Sequence, residues 1–264
     1  MTHTVSALVV ARDEADMIDG CLDRLGFADE VVVVVDDRTT DDTAERARRH
    51  GASVSTEHFE SFASLKNAGI ERCRSEWVLV VDADERVTAQ LAAEVRLALA
   101  GSAVAYRIPI QNYFFGGRIR FGGWRERPVR LFRREGIRYE GDIHETLRLP
   151  AAAPVADLDG GLAHFSHRSI AHNLAKTSAY ADIQAAEMLR QGHPPVTART
   201  LFRVVLGEVW RRLLRGRGFR DGMPGVIESL YQPFSMMVVY VRLWELQQQP
   251  DLAERYRQLD RTVE

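Results

Sequence analysis

Five consecutive valines, Val31–Val35, constrain the fold more than any other feature of the chain. A run of β-branched residues without a polar position predicts a strand with both faces buried, as in a parallel sheet that helices cover. Asp36 and Asp37 follow the run directly. Open α/β sheets bind ligands at the carboxyl ends of their strands, so these two acids are candidate binding residues.

Strand and helix patterns alternate around the valine run. We expect further strands at 5–10, 52–56 and 77–81, and helices at 14–25, 40–50, 63–73 and 89–100, the last capped by Thr88. Such alternation predicts an α/β fold with a doubly wound, Rossmann-like sheet. Short strand segments follow at 105–110, 129–132, 145–149 and 162–165, and helices at 170–190, 198–215 and 226–248. We therefore expect one domain over residues 1–167 and a helical C-terminal region over 168–264.

Composition narrows the class of protein. Hydrophobic residues form 45% and charged residues 27% of the chain, as is usual for a globular protein. The net charge of −2 argues against a nucleic-acid partner. Two cysteines are too few for a disulfide scaffold and favour a reducing compartment. The first ten residues lack a signal-peptide pattern, so we expect a cytoplasmic protein, either free or at the inner face of the membrane.

Asp82 and Asp84 form the most specific of the acidic patterns, because they follow the predicted fourth strand one residue apart. Two carboxylates so placed can share a divalent cation with diphosphate oxygens. The alternative is an acidic turn that caps the next helix. Asp36 has a similar pair of interpretations, a hydrogen bond to a ribose or base and ordinary turn chemistry. The chain has neither a GxGxxG nor a GxxxxGK[ST] motif at these ends, which argues against a dehydrogenase or a P-loop enzyme.

Three segments together resemble the family 2 glycosyltransferases of the GT-A fold, namely residues 33–43, Lys66-Asn67-Ala68 and residues 77–85. The family usually has Gly at the positions of Arg38 and Asp42, and Asn at the position of Asp13. The later half resembles the lipopolysaccharide-core glucosyltransferase-like branch in Arg130-Leu131-Phe132-Arg133, His144-Glu145, His164-Phe165-Ser166-His167, Lys176 with Tyr180, and residues 218–222. The resemblance implies a mixed GT-A sheet with a helical C-terminal extension.

The resemblance also implies roles for individual residues. It implies transfer of a sugar from a nucleoside-diphosphate donor, which we expect to be a UDP-sugar, with Mg²⁺ or Mn²⁺ and with inversion. The implied nucleotide-binding residues are Ala11, Arg12, Glu14, Asp36, Asp37, Lys66, Asn67 and Asp82. Asp84, with Asp82, would bind the metal. The candidate residues for the acceptor or substrate are Trp124, Arg125, His144 and Lys176.

An inverting transfer needs a carboxylate that takes the proton of the attacking hydroxyl. Glu145 is the first candidate for this base, Glu126 the second and Asp142 the third. The alternative for Glu145 is an ion pair with a nearby Arg. Trp124 has two interpretations as well, a platform for a sugar ring and a core aromatic residue. The acceptor is a glycan, a lipid-linked sugar or a small molecule, and the sequence does not distinguish these.

A basic stretch at residues 199–220 carries seven Arg against Glu208, with apolar residues at helical spacing. This pattern is typical of a helix on an anionic membrane, and also of a helix that packs in a homodimer or a core.

Two functions other than glycosyl transfer remain as alternatives. A sugar nucleotidyltransferase would need a Gly-rich loop after the first strand, where the chain has Ala11-Arg12-Asp13-Glu14. An inactive nucleotide-sugar-binding protein would not need both Asp82 and Asp84.

Overall fold

The structure is a computed structural model and describes residues 3–141 and 145–262. Its contacts divide the chain into two compact units. The first contains the residues up to Gln111 together with Arg125–Phe165, and the second contains Asn112–Trp124 with the residues from Ser166 onward. The segment Asn112–Trp124 thus packs with the helical unit, a division that no pattern in the sequence indicates.

The strands are β1 (Val5–Ala11), β2 (Glu30–Asp36), β3 (Ser53–Glu57), β4 (Trp77–Asp82), β5 (Glu85–Val87), β6 (Ala105–Arg107), β7 (Ile110–Phe114), β8 (Gly117–Arg118), β9 (Val129–Arg133), β10 (Arg138–Glu140), β11 (Thr146–Arg148), β12 (Val155–Asp157) and β13 (Leu162–His164). The helices are α1 (Ala15–Leu22), α2 (Thr43–Arg49), α3 (Phe62–Arg72), α4 (Ala89–Ala98), α5 (Ile170–Arg190), α6 (Ala198–Val209), α7 (Gly222–Leu246) and α8 (Leu252–Asp260). A π-helical turn at Trp210–Arg215 continues α6, and a 3₁₀ turn spans Gly218–Asp221.

The first unit is built on a seven-stranded mixed sheet in the order β12-β6-β9-β4-β1-β2-β3. Strands β1 to β4 are mutually parallel, and β9 runs antiparallel to both of its neighbours. The side chains of Val33 and Val35 pack into the core on one face, and those of Val32 and Val34 pack into the core on the other. The valine run is therefore buried from both sides, as its composition predicts.

The register of the central strands collects the predicted ligand residues at one edge of the sheet. Ala11 lies beside Val35, so Asp36 extends β2 just past the end of β1. Asp82 lies beside Val10 at the end of β4. Because these strands are parallel, their carboxyl ends form one continuous edge, which is where sheets of this kind bind ligands.

Helix α3 packs closely on β1 and carries Lys66 toward that edge. A Cβ atom on Gly69 would collide with the side chain of Leu8, so only glycine permits this approach of helix and strand. The helix begins with a capping box in which Ser61 and Ser64 each accept a hydrogen bond from the other's backbone N–H. Thr88 caps α4 in the predicted way, with its hydroxyl accepting from Leu91 N–H at 3.2 Å.

The second unit is mostly helical. Its longest helix, α7, begins at Gly222, four residues before the predicted start. Pro224 permits this early start because a residue in the first turn of a helix needs no backbone N–H. The hairpin of β7 and β8 pairs Tyr113 with Arg118 and Phe114 with Gly117. Among the described residues, no helix is both long and apolar enough to span a bilayer.

Candidate functional site

Asp36 is held by Arg38, which occupies a position where the family 2 glycosyltransferases usually have glycine. The side chain of Asp36 is 2% exposed. It accepts hydrogen bonds from the backbone N–H of Arg38 at 2.9 Å and from Nε and Nη2 of the same residue at 2.9 and 2.5 Å. Burial opposes the charge on Asp36, but Arg38 outweighs burial and lowers the pKa of the carboxyl below its usual value. The guanidinium of Arg38 in turn lies 3.7 Å from the centre of the Phe59 ring.

Asp82 at the end of β4 belongs to a charge network with Arg130 and Glu85, in which Glu85 is fully buried and Asp82 is 35% exposed. Nη2 of Arg130 donates to Oδ2 of Asp82 at 2.7 Å and to Oε1 of Glu85 at 3.1 Å. Burial would raise the pKa of Asp82, yet Arg130 and Lys66 hold it well below its usual value. Burial, together with the charge of Asp82, raises the pKa of Glu85 to about 7 despite Arg130. Of the two carboxylates, Asp82 is thus the one that stays charged, next to the cation of Arg130.

Arg130 holds this network together, although it is not among the site residues expected from the sequence. It lies in β9, between strands β4 and β6. The sequence feature that could have indicated its place is an Arg directly before two large apolar residues of a strand. Leu131 and Phe132, the residues that follow it, are fully buried. A buried cation of this kind is expected only where carboxylates meet it.

Asp84, which lies between Asp82 and Glu85 in the chain, pairs with a histidine. Its Oδ2 is 3.3 Å from Nε2 of His164, and its backbone carbonyl accepts the N–H of Phe165 at 2.9 Å. Strand β5, which follows Asp84, pairs with β13 so that Glu85 faces His164 in the register. Burial opposes the charge on His164, but the hydrogen bond to Asp84 outweighs it and raises the pKa of the imidazole.

The pair of Asp84 and His164 offers donors that suit a divalent cation. A carboxylate oxygen and an imidazole nitrogen are ligands that Mn²⁺ accepts, and Mg²⁺ takes one or two carboxylates with substrate phosphates for the rest. The described residues contain no group of three or more such side chains. A metal here would therefore need ligands from a bound diphosphate. Asp82 is less suited, because Arg130 already binds its Oδ2.

Lys66 and Glu145 form a half-buried ion pair beside Asp82. Nζ of Lys66 donates to Oε1 of Glu145 at 2.6 Å, and the side chain of Lys66 is 8% exposed. Burial disfavours the charge on Lys66, but Asp82 and Glu145 outweigh it and raise its pKa. The partner of Glu145 is thus Lys66 rather than the Arg that the sequence suggested. Asp142 and His144, two further candidates, lie outside the described residues.

The remaining candidates of the first unit have more ordinary surroundings. The side-chain amide of Asn67 donates to the carbonyl of Tyr139 and accepts from its backbone N–H, both at 2.9 Å. These two hydrogen bonds fix β10 against α3. Asp37 accepts from His58 at 2.7 Å. Ala11 is buried at the end of β1, and Arg12 after it is half exposed. Glu14 precedes α1, and its backbone carbonyl accepts a hydrogen bond from the N–H of Ile18. Arg125 and Glu126 are exposed.

Trp124 and Lys176 belong to the second unit. The Trp124 ring packs edge to face on Phe114 at 5.1 Å, and the guanidinium of Arg212 lies 4.7 Å from its centre. One face of the ring is thus occupied by a cation, which favours the packing interpretation over the sugar platform. Lys176 is exposed on α5, with its Nζ 5.8 Å from the centre of the Tyr180 ring.

Comparisons with known proteins show what the chain is similar to. The model of the family described as Glycosyl transferase family 2 matches residues 6–145. The chain is 24% identical over 272 residues to an uncharacterized glycosyltransferase of Rickettsia bellii (strain RML369-C), covering 98% of this chain and 92% of that protein. It is 26% identical over 236 residues to the lipopolysaccharide core biosynthesis glycosyltransferase LpsC of Rhizobium meliloti (strain 1021), covering 86% of each.

Solved structures of similar fold include mannosyltransferase PcManGT from Pyrobaculum calidifontis in complex with GDP-Man and Mn²⁺, with a TM-score of 0.52 and 15% sequence identity. The similarity covers 92% of this chain and 88% of that chain.

Proposed function

Because the chain belongs to glycosyl transferase family 2 and has the GT-A fold, we propose that it transfers a sugar from a UDP-sugar to an acceptor hydroxyl, with a divalent metal and with inversion. The observation that carries this proposal is the edge where β1, β2 and β4 end, because it brings Asp82, Lys66 and Glu145 together. The similar mannosyltransferase structure, solved with GDP-Man and Mn²⁺, supports a nucleotide-sugar donor and a metal.

The donor nucleotide binds along this edge. Asp36, at the end of β2, is placed to accept hydrogen bonds from the base or ribose, as acids at this position do in nucleotide-binding sheets. Arg38 already occupies its carboxylate, so the base either displaces that guanidinium or stacks against it. Asp82, fixed by Arg130, contacts the ribose.

Asp84 and His164 would hold the metal, which would supply positive charge opposite the departing diphosphate. This chain's part is to present a carboxylate oxygen and an imidazole nitrogen side by side at the edge of the sheet. Lys66 supplies a further positive charge in the same region, and its raised pKa keeps it protonated.

Glu145 is the base of the transfer. Its carboxylate takes the proton of the acceptor hydroxyl while that oxygen forms a bond to the anomeric carbon. The bond from this carbon to the diphosphate breaks, and UDP leaves. The hydrogen bond from Lys66 holds Glu145 in one orientation, which a positioned base requires. Loss of transfer in Glu145→Gln, with UDP binding retained, is the test.

The acceptor is a glycan of the cell envelope. The similarity to LpsC, named for lipopolysaccharide core biosynthesis, supports this class of acceptor. A lipid-linked acceptor would require the enzyme to work at a membrane surface, and one face of the second unit suits such a surface.

That face is a stripe of four exposed apolar side chains along α6 and its π-helical turn, here called the apolar stripe. Its members are Phe202, Leu206, Trp210 and Leu214, which are 51–68% exposed. A spacing of four residues drifts around a helix of 3.6 residues per turn. The wider π turn counteracts this drift, so it keeps Leu214 close to the line of the other three.

We assign the apolar stripe to an anionic lipid surface because of the charges around it. Six exposed Arg lie in or just after the same helical segment, at positions 199, 203, 211, 215, 217 and 220, and Arg211 among them is paired with Glu208. Lys or Arg beside Trp, Phe and Leu is the composition of helices that lie in the membrane interface. A symmetric homodimer through the same face would set these Arg against their own copies, which disfavours it.

A further inference from the structure

The second unit contains a cavity of about 160 Å³ between α5 and α7. Its lining includes the polar side chains of Asn173, Lys176, Thr177, Tyr180, Tyr231 and Ser235. The four residues from α5 are spaced at i, i+3, i+4 and i+7, so they lie on one face of that helix. A helix that turns a polar stripe toward a neighbouring helix is unusual, since such faces are normally apolar.

Asn173 is the most informative residue of this wall. It is 2% exposed, yet neither the oxygen nor the nitrogen of its side-chain amide has a hydrogen-bond partner in the described part of the chain. A buried amide without partners destabilises a fold, and native structures contain few of them. The position makes physical sense if a ligand in the cavity completes both hydrogen bonds.

Three hydroxyls connect the two helices that form the wall, one from α5 and two from α7. The oxygen of Thr177 lies 2.6 Å from that of Tyr231 and 3.3 Å from that of Ser235. Because hydroxyl hydrogens rotate, this network can either donate to a ligand or accept from it. Lys176 adds a positive charge, and the half-exposed ring of Tyr180 offers an aromatic face.

The two ends of the Asn173 amide define the chemistry of the ligand. The nitrogen only donates and the oxygen only accepts, so the ligand must accept at one atom and donate at another. Neighbouring hydroxyls of a sugar ring do both, whereas an anion without a hydroxyl, such as sulfate, would leave the oxygen unpaired. Aromatic faces such as that of Tyr180 pack on the apolar side of such rings. The ammonium of Lys176 favours a sugar that also carries a negative charge.

We propose that this cavity binds one sugar residue that bears a carboxylate or a phosphate. That this residue is part of the acceptor rests on the proposed function, but the binding itself does not. Sugars of both kinds have a hydroxylated ring and one anionic substituent. Carboxylate and phosphate are distinguished by testing one sugar of each kind.

The test is calorimetric or NMR titration of the full chain with glucuronate, glucose 6-phosphate, glucose and inorganic phosphate, without any nucleotide. We expect both charged sugars to bind more tightly than glucose, and inorganic phosphate to bind most weakly. Asn173→Leu should weaken all three sugars about tenfold or more. Lys176→Met should bring the charged sugars to the level of glucose. Arg255→Met, which removes an exposed cation of α8 outside the cavity, is the matched control.

Thermal unfolding separates lost binding from lost folding. Leucine has nearly the shape of asparagine and removes an unpaired buried amide, so Asn173→Leu should raise Tm by about 2 °C or more. Equal sugar binding in this variant and the wild type would overturn the proposal, as would absence of binding by all three sugars. Inorganic phosphate binding as tightly as glucose 6-phosphate would also overturn it, because it would show a simple anion site. UDP binding with Mn²⁺, measured on the same samples, tests the transferase function separately.

Discussion

Nζ of Lys66 on α3 lies 2.6 Å from Oε1 of Glu145, a residue 79 positions later in the chain. Both residues were candidates from the sequence, one for the nucleotide and one for the base. Their contact means that a change at either residue alters the other. It also places the proposed base within the field of a cation that stays protonated near neutral pH.

Glu145→Gln should lower kcat by about 10²–10⁴, because glutamine keeps the shape but cannot take a proton. UDP binding should remain, since Glu145 has no proposed contact with the nucleotide. Steady-state transfer and UDP titration on the same protein check both statements. Glu126→Gln, at an exposed residue, is the matched control and should retain activity. If the two variants behave in the opposite way, Glu126 is the base.

Arg38→Ala should tighten UDP binding by up to about fivefold, the range of an ion pair with a solvent-exposed partner. Arg38 is 43% exposed and holds the carboxylate of Asp36, so its removal frees that acceptor for the base or ribose. The backbone N–H of residue 38 still donates to Asp36. Weaker UDP binding in this variant would show instead that the guanidinium itself contacts the nucleotide.

The central strands of the fold and the order of their acidic ends could be predicted from the sequence. Val33 sits between Val9 and Val54, in the middle of a sheet whose two faces are both covered. A run of five valines predicts a strand of this kind, because it has no polar side chain for an exposed face. Asp36 and Asp82 follow from the same reasoning, because the end of a buried strand is fixed by where its apolar run stops.

The network around Asp82 could not be predicted in the same way, because Arg130 comes from a strand 48 residues later that inserts antiparallel beside β4. No local pattern states which strands become neighbours. The role of Asn67 was also hidden, since its amide pairs with the backbone of Tyr139, and backbone partners leave no mark in a sequence. The cavity beside Asn173 depends likewise on how α5 meets α7.

The apolar stripe should bind vesicles that contain phosphatidylglycerol and not vesicles of phosphatidylcholine alone. Flotation should show this binding, its loss in Leu206→Ser/Trp210→Ser, and its weakening by added salt. Leu97→Ser is the matched control, because Leu97 is 78% exposed on α4. Unchanged flotation of the double variant would contradict the assignment. A change from dimer to monomer in sedimentation, without any vesicle binding, would assign the stripe to a second copy of the chain.

Glu30 should stabilise the sheet in a pH-dependent way. Its carboxylate accepts from the hydroxyl of Ser6 and from the backbone N–H groups of Arg74 and Ser75. Burial opposes its charge, but these hydrogen bonds outweigh burial and lower its pKa. A lowered pKa in the folded state gives stability that is present at neutral pH and lost as the pH falls below about 4.5.

Glu30→Gln should therefore reduce the free energy of unfolding at pH 7 by about 1–2 kcal/mol. The difference from the wild type should shrink as the solution is acidified. Urea unfolding at several pH values measures it, with the exposed Glu135→Gln as control. A difference that stays constant down to pH values well below the ordinary pKa of Glu would refute the linkage.

The measurement that tests the proposed function most directly is donor hydrolysis by the purified chain across a panel of nucleotide-sugars, with Mn²⁺ or with EDTA. We predict release of the nucleoside diphosphate from a UDP-sugar, dependent on the metal and lost in Asp84→Asn. UDP should likewise raise Tm only when Mn²⁺ or Mg²⁺ is present. Hydrolysis or stabilisation that is equal in EDTA would contradict the metal role of Asp84. Failure with every donor, together with formation of a nucleotide-sugar from a nucleoside triphosphate and a sugar phosphate, would contradict the transferase function itself.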